Sequence, residues 1–437
     1  MPRPARTGAW RYAGAFAAIF IALCAGSFAL RTSVTAANVA APPEALPTLA
    51  TVPHGNMASA DAAGVVYGFY VASIPDPSST RARSRPTTAP SSVVQPQPPS
   101  GSDSSGVLGI YDGNHSSASI EATADWLGSP HDVQYAMDFI DDTSWSTISD
   151  PSWFLSQWQG TPYTMVWGVP MVPCGSPSTQ CATNVSDYNE VADGGADGYY
   201  KTLAQSLVSN GFGSSYIRLG WEFNGTYMGW SICNQEATGL TSWASDFVLA
   251  YRNIVTSMRS VSGANFKFIW NPIDSSNVSC DGVQLENFYP GDSYVDVVAL
   301  DVYDGIGQAT SSDAARWEDL MNGVNAGNWT STAPESINGQ KFEGYGLNWL
   351  DAFGQEHNKE IGVPEWGLDD TKQNVGGGGD DAYFVTQMAD WIKANATGPA
   401  IFWNYADGNL QLDIPSYTSG DTPKATAAFK AAFGTSG

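Results

Sequence analysis

The chain has 437 residues, 43% of them hydrophobic, with 45 glycines and 26 prolines, an ordinary globular composition with length for one large domain plus appendages. Its 43 acidic and 19 basic residues leave a formal charge of −24, which repels phosphate backbones and anionic glycans and argues against nucleic acid as a partner. Sixteen tryptophans and nineteen tyrosines are flat rings that either fill a core or stack on a ligand, sugar faces among them.

The N-terminus carries Arg3, Arg6 and Arg11, then an uncharged run from Ala13 to Leu30, then the small residues Val34, Thr35, Ala36 and Ala37. Residues 1–37 therefore read as a secretory signal peptide cleaved near Ala36 or Ala37, with an uncleaved membrane anchor as the alternative. Cys24 follows Leu23 where a lipoprotein signal requires a small residue, so it leaves with the signal. The expected localisation is extracellular. The four cysteines that remain are Cys174, Cys181, Cys233 and Cys280, an even number in an export context, which points to disulfides. Of three possible pairings, Cys174 with Cys181 and Cys233 with Cys280 is favoured, since spacing and the lack of nearby histidines argue against zinc.

Residues 38–105 are rich in Ala, Pro, Ser and Thr and read as a linker unable to bury enough surface to order itself. Within it the apolar stretch 64–74 has no assigned role. From 106 to 437 short apolar runs alternate with helical patterns. Eight strands are expected: Val107 to Tyr111, Gln134 to Ile140, Tyr163 to Val169, Ser215 to Glu222, Phe266 to Asn271, Val295 to Tyr303, Ile361 to Glu365 and Ala400 to Asn404. Between them, Tyr200, Leu203, Ala204, Leu207, Val208 and then Trp243, Phe247, Tyr251, Ile254, Val255, Met258 recur at helical spacing. Eight βα units fit an α/β fold of the (β/α)8 TIM-barrel type, in which chemistry sits at the C-terminal strand ends. No Gly-x-Gly-x-x-Gly follows an early strand, and Gly376 to Gly379 lacks the ending of a phosphate loop, so no nucleotide cofactor is expected.

Glu222 ends the fourth run in Arg-Leu-Gly-Trp-Glu-Phe-Asn-Gly, and Glu365 ends the seventh in Ile-Gly-Val-Pro-Glu-Trp-Gly. Two carboxyls on one barrel rim suit retaining glycoside hydrolysis, where one protonates the leaving oxygen and the other attacks the anomeric carbon from roughly 5–5.5 Å away. These motifs, with residues 266–272 and 289–303 (Tyr-Pro-Gly-Asp-Ser-Tyr-Val-Asp-Val-Val-Ala-Leu-Asp-Val-Tyr), resemble glycoside hydrolase family 26 over about residues 107–437. The resemblance implies Glu222 as general acid/base with a pKa raised by an apolar surround, Glu365 as nucleophile, and Tyr303 as a hydrogen-bond donor to Glu365. Trp221 departs from the family pattern, which has histidine immediately before the acid/base.

Other rim residues are candidate sugar contacts: Trp403 as a stacking floor, Trp230 on the leaving-group side, Trp221 beside the acid/base, and Arg218, Asn271 and Asp301 at strand ends. Arg218 lies four residues before Glu222 and so shares its face of an extended strand. Arg218 on that face could hold a nearby carboxylate ionised, with a structural buried ion pair as the alternative, and for Asn271 and Asp301 a structural role at the strand ends is the preferred reading. His54, His115, His131 and His357 do not cluster, so neither a metal nor a Ser-His-Asp triad is indicated. The pairs Asp369/Asp370 and Asp380/Asp381 read as solvated charge beside a mobile glycine loop rather than calcium ligands. Six Asn-x-Ser/Thr sequons, including one at Asn224, read as incidental in a prokaryotic protein. The expected function is hydrolysis of β-linkages in a neutral polysaccharide by a monomer, β-mannan first and mixed-linkage glucan or β-1,3-xylan behind it. A non-catalytic carbohydrate-binding barrel is the competing class, and membrane contact is expected only if the N-terminal segment stays uncleaved.

Overall fold

In the computed structural model the described residues are 107–128, 133–174, 185–225, 228–232, 243–274, 284–304, 312–324, 333–369, 377–405 and 409–435. The expected signal, the linker with its stretch 64–74, and Cys181, Cys233 and Cys280 lie outside them; Cys174 is buried. Among the described residues no helix is long and apolar enough to cross a membrane.

Each expected run overlaps a strand, the seventh extending well beyond its run: β1 (Leu108–Tyr111), β2 (Val133–Phe139), β3 (Thr164–Val169), β4 (Tyr216–Leu219), β5 (Lys267–Trp270), β6 (Val297–Asp304), β7 (Glu360–Asp369) and β8 (Ala400–Trp403). All adjacent pairs are parallel, and the pairings of β1 with β8 and β6 with β7 close the sheet into a (β/α)8 barrel. A short strand the sequence reading did not anticipate, β9 (Asn409–Leu410), lies antiparallel on the end of β7.

The described helices are α1 (Ser117–Leu127), α2 (Trp145–Ser149), α3 (Ser152–Leu155), α4 (Val185–Ala192), α5 (Asp197–Ser209), α6 (Trp243–Arg259), α7 (Asp313–Asn322), α8 (Leu347–His357), α9 (Ala382–Asn395) and α10 (Pro423–Phe433). Serine and aspartate begin several of them because their side chains satisfy first-turn N–H groups: Ser116 on α1, Ser144 on α2, Ser312 on α7 and Asp381 on α9. On α5 the expected stripe of Tyr200, Leu203, Ala204 and Leu207 is the buried one.

Strand alternation sorts side chains into two cores. Tyr135, Met137, Val166, Tyr216, Ile269, Val297, Ala299, Tyr303, Ile401 and Trp403 fill the barrel interior. Their neighbours, among them Trp167, Ile217, Trp270, Leu300 and Phe402, pack outward against the helices. Among the described residues Trp167, Trp230, Trp270, Trp349 and Trp366 are fully buried, so these five are structural.

The strand β7 breaks this alternation. Ile361 and Val363 face the outer core, and so do Trp366 and Leu368. Between them β7 advances three residues, Gly362 to Glu365, while β6 advances two, Ala299 to Asp301. Against β8 the same excess appears, Val363 to Trp366 opposite Ala400 to Phe402. This is a β-bulge of one residue, and it falls at Pro364, whose missing N–H would be a defect in a regular ladder. An unbroken strand would have placed Glu365 outward with Ile361 and Val363; the bulge turns it inward.

Candidate active site

The fourth strand ends sooner than its sequence suggests. β4 stops at Leu219 because Gly220 (φ 55°) and Glu222 (φ 50°) both adopt the left-handed region and bend the chain sharply over the barrel mouth. Gly220 is required there, since a Cβ would lie 2.3 Å from Met171 Sδ. Glu222, which carries a side chain, holds that conformation under strain, as residues at functional sites often do. Its N–H donates to the carbonyl of Asn271 at 2.8 Å, tying the turn to the end of β5.

The turn and the bulge bring together carboxyls that lie 143 residues apart in sequence. One carboxylate oxygen each from Glu222, Asp301 and Glu365 lie within 4.8 Å of one another. Tyr303 Oη donates to Glu365 Oε1 at 2.5 Å, in keeping with the contact expected of it. Arg218 Nη2 pairs with Glu365 Oε2 at 2.8 Å and also with Asp301 Oδ2, while Nε donates to Asn271 Oδ1 at 2.5 Å. The guanidinium faces are covered by the rings of Trp221 and Phe139, whose centroids lie 5.6 and 5.9 Å from Cζ.

Three carboxyls around one guanidinium leave an excess of negative charge in a dry place. Burial works against the charge on Arg218, but Asp301, Glu365 and Glu222 outweigh it and keep the guanidinium protonated. Burial pushes the Asp301 carboxyl well above the usual carboxylate range, opposed by Arg218 and reinforced by Glu365 and Glu222.

Four of the candidate rim residues are fully buried. Arg218, Asn271 and Asp301 are completely buried and bonded to one another, forming an ionic layer with Glu365, in agreement with the ion-pairing and structural readings of them. Asn271 also donates through Nδ2 to the Pro272 carbonyl at 3.0 Å. Trp230 lies in the outer core, not on a leaving-group wall; its Nε1 donates to the Trp221 carbonyl at 2.6 Å and its ring packs 4.4 Å from that of Trp221. Trp230 thus supports Trp221 from behind. Trp403 stands at the mouth, at the end of β8, within a group of rings. Tyr111 lies 4.3 Å from it, Phe139 5.9 Å and Tyr405 6.1 Å, and Phe139 continues to Trp221 at 5.0 Å. The rule that singled out Trp403, an aromatic at a strand's C-terminal end, applies equally to Tyr111 on β1 and Phe139 on β2. One side of the mouth is consequently aromatic, and the other carries Tyr303, Glu365 and the ionic layer.

The sequon beside Glu222 does not present a glycan acceptor. Asn224 is buried, with Nδ2 donating to the Ile273 carbonyl and Oδ1 accepting from the Ile273 N–H, both at 2.8 Å.

The model of glycosyl hydrolase family 26 matches residues 110–343, more than half of the chain. That span includes Arg218, Glu222, Asn271, Asp301 and Tyr303; Glu365 lies beyond it. Endoglucanase H of Acetivibrio thermocellus is 28% identical over 134 residues, 30% of this chain and only 14% of the length of that relative. Among solved structures, the GH26C protein of a Muricauda species superposes with a TM-score of 0.45 at 15% identity, covering 74% of this chain and 86% of that one. A modular endo-β-1,4-mannanase from Cellulomonas fimi gives a TM-score of 0.44 at 18% identity, covering 67% and 63%. With more than half its length matched by the family model, this chain belongs to glycosyl hydrolase family 26.

Proposed function

We propose that this protein is a secreted retaining glycoside hydrolase that cleaves β-linkages within a neutral polysaccharide. The observation that carries the reading is the convergence of Glu222 and Glu365 within 4.8 Å. Such closeness is in keeping with the roughly 5–5.5 Å spacing of a retaining pair and falls short of the roughly 6.5–9.5 Å that an inverting pair keeps for its water. Glu365, its oxygens held by Tyr303 and Arg218, attacks the anomeric carbon as the bond to the leaving oxygen breaks, and Glu222 gives that oxygen a proton. Water then attacks the glycosyl ester, Glu222 takes the water's proton, and Glu365 is released as carboxylate. The aromatic side of the mouth offers flat faces for the C–H surface of a sugar, with Trp403 as the stacking floor and Trp221 as the wall beside Glu222.

β-1,4-Mannan is the first substrate to try, on the family resemblance. Mixed-linkage β-glucan and β-1,3-xylan come next, a β-glucan being in keeping with the similarity to Endoglucanase H. Export follows from the N-terminal segment 1–37, read as a signal.

The test is Glu365→Ala assayed on a panel of β-glycans with reducing-sugar detection. Turnover should vanish while the melting temperature is kept, and wild-type product should retain the β-anomer. Activity surviving in the variant would sink the assignment, and absence of new reducing ends with the wild type would favour a carbohydrate-binding barrel.

A further inference from the structure

A second buried ionic cluster lies where β6 and β7 end, immediately past Tyr303 and four residues past Glu365. Asp304, the last residue of β6, follows the outward-facing Val298, Leu300 and Val302 and faces the helices. Arg316 on α7 reaches it with Nε 3.2 Å from Asp304 Oδ1, and its Nη2 lies 2.5 Å from Asp381 Oδ2 at the head of α9. The same Nη2 holds the exposed Asp313 at 3.0 Å. Asp369, the last residue of β7, is also buried. The reading of Asp369 and Asp381 as solvated charge is therefore corrected; Asp370 lies outside the described residues.

The glycines after β7 close over this cluster. Gly378 N–H donates to the Asp304 carbonyl at 3.0 Å and Gly379 N–H to that of Asp369 at 3.1 Å, so residues 378 and 379 are stitched to both strand ends. A Cβ on Gly378 would lie 2.0 Å from Asp304 Oδ2, 2.5 Å from Arg316 Nη2 and 2.7 Å from Asp381 Oδ2, so only glycine allows this approach. Asp304 Oδ2 is buried without a hydrogen-bond partner.

We propose that Arg316 with the carboxyls of Asp304, Asp369 and Asp381 is a proton-dependent brace, which ties the ends of β6 and β7, and with them Tyr303 and Glu365, only while the cluster retains a proton. One guanidinium cannot balance three buried carboxylates, and the excess charge would fall on groups held together by packing. Among the described residues the charged groups around Asp304 are Asp313 and Arg316 of α7, Asp369 of β7 and Asp381 of α9. Asp380 turns away to the start of α10, where it accepts from the Lys424 and Ala425 N–H groups. Burial is the largest influence on Asp304 and lifts its carboxyl well above the ordinary range; Asp381 adds to this, Arg316 opposes it, and Asp369 adds again.

A carboxyl whose affinity for a proton is higher in the folded chain than in the unfolded one stabilises the fold fully below the unfolded pKa. That contribution is lost as pH rises from there through the folded value. The brace should accordingly hold in acid and slacken toward neutral and alkaline pH.

The experiment is calorimetric melting of the full protein between pH 4.5 and 8.5 for the wild type, Asp304→Asn and Asp369→Asn. Asparagine mimics the protonated carboxyl, so Asp304→Asn should melt no higher than wild type at pH 4.5 and gain on it by roughly 3 °C or more at pH 8.5. Asp369→Asn, which leaves Asp304, Asp313 and Asp381 on Arg316, removes a charge that raises the Asp304 carboxyl, so the wild-type decline should shrink and end at lower pH. The alkaline loss of kcat should weaken in both variants, since each removes one carboxylate from the excess; that arm alone rests on the proposed function, whereas the melting curves do not. Melting curves for both variants that run parallel to wild type across the pH range overturn the brace. Should Asp304→Asn fail to fold, Asp369→Asn decides: a smaller decline that ends at lower pH supports the brace and a parallel curve refutes it.

Discussion

Arg218→Met removes the cation at the centre of the mouth and keeps an unbranched side chain of similar reach. In the native protein the guanidinium is fully buried, pairs with Asp301 and Glu365, donates to Asn271, and is covered by Trp221 and Phe139. Its loss leaves two carboxyls in a dry site without their counter-charge, and breaking one side of such a buried pair costs about 3–5 kcal/mol. A domain of this size melts with an entropy of about 0.7 kcal/mol/K, so the melting temperature should fall by roughly 4–7 °C. Calorimetry at constant pH measures it, alongside Asp301→Asn and the double variant. Asp301→Asn removes the carboxyl that burial already disfavours in its charged form, so it should be milder, and Arg218→Met should cost less in its background by about 1–3 kcal/mol. An Arg218→Met protein melting within about 1 °C of wild type would refute the view that this charge is what lets three carboxyls converge. Strict additivity in the double variant would refute the coupling.

Two further substitutions probe the glutamates. Tyr303→Phe deletes the 2.5 Å hydrogen bond to Glu365 Oε1 and should lower kcat by about 10–100-fold, since bonds to charged groups are worth roughly 1.5–3 kcal/mol; steady-state kinetics with an unchanged kcat would count against the positioning role. Glu222→Gly relieves the left-handed backbone at φ 50° and thins the carboxylate crowd. It should abolish turnover while its melting temperature stays within about 2 °C of wild type or rises; a drop beyond 5 °C, read by the same calorimetry, would show that the Glu222 side chain is there for stability.

Much of this protein could be read from its sequence because much of it obeys local periods. Eight apolar runs separated by helical stripes mark the barrel strands in order, and Glu222 and Glu365 stand at the ends of two of them. Those assignments need only strand and helix periodicity and the rule that chemistry sits where parallel strands end. What local patterns could not determine is where a side chain points once the pattern breaks. Glu365 shares its parity with Ile361 and Val363, and it faces inward only because a one-residue bulge at Pro364 shifts the register against both neighbouring strands. β4 ends at Leu219, so Arg218 and Glu222 converge through a left-handed turn and not through the alternation that suggested they share a face. Burial was equally undecided. Trp230 and Trp403 are both tryptophans in rim segments, but one is held behind Trp221 and the other stands at the mouth. Asp369 and Asp381 look like exposed acids until α7 delivers Arg316 between two strand ends and a helix start. Composition and periodicity determined the strands, their order and the two glutamates. Register, turn geometry and the approach of distant helices decided which charges meet, because those depend on contacts between residues that no local stretch of chain contains.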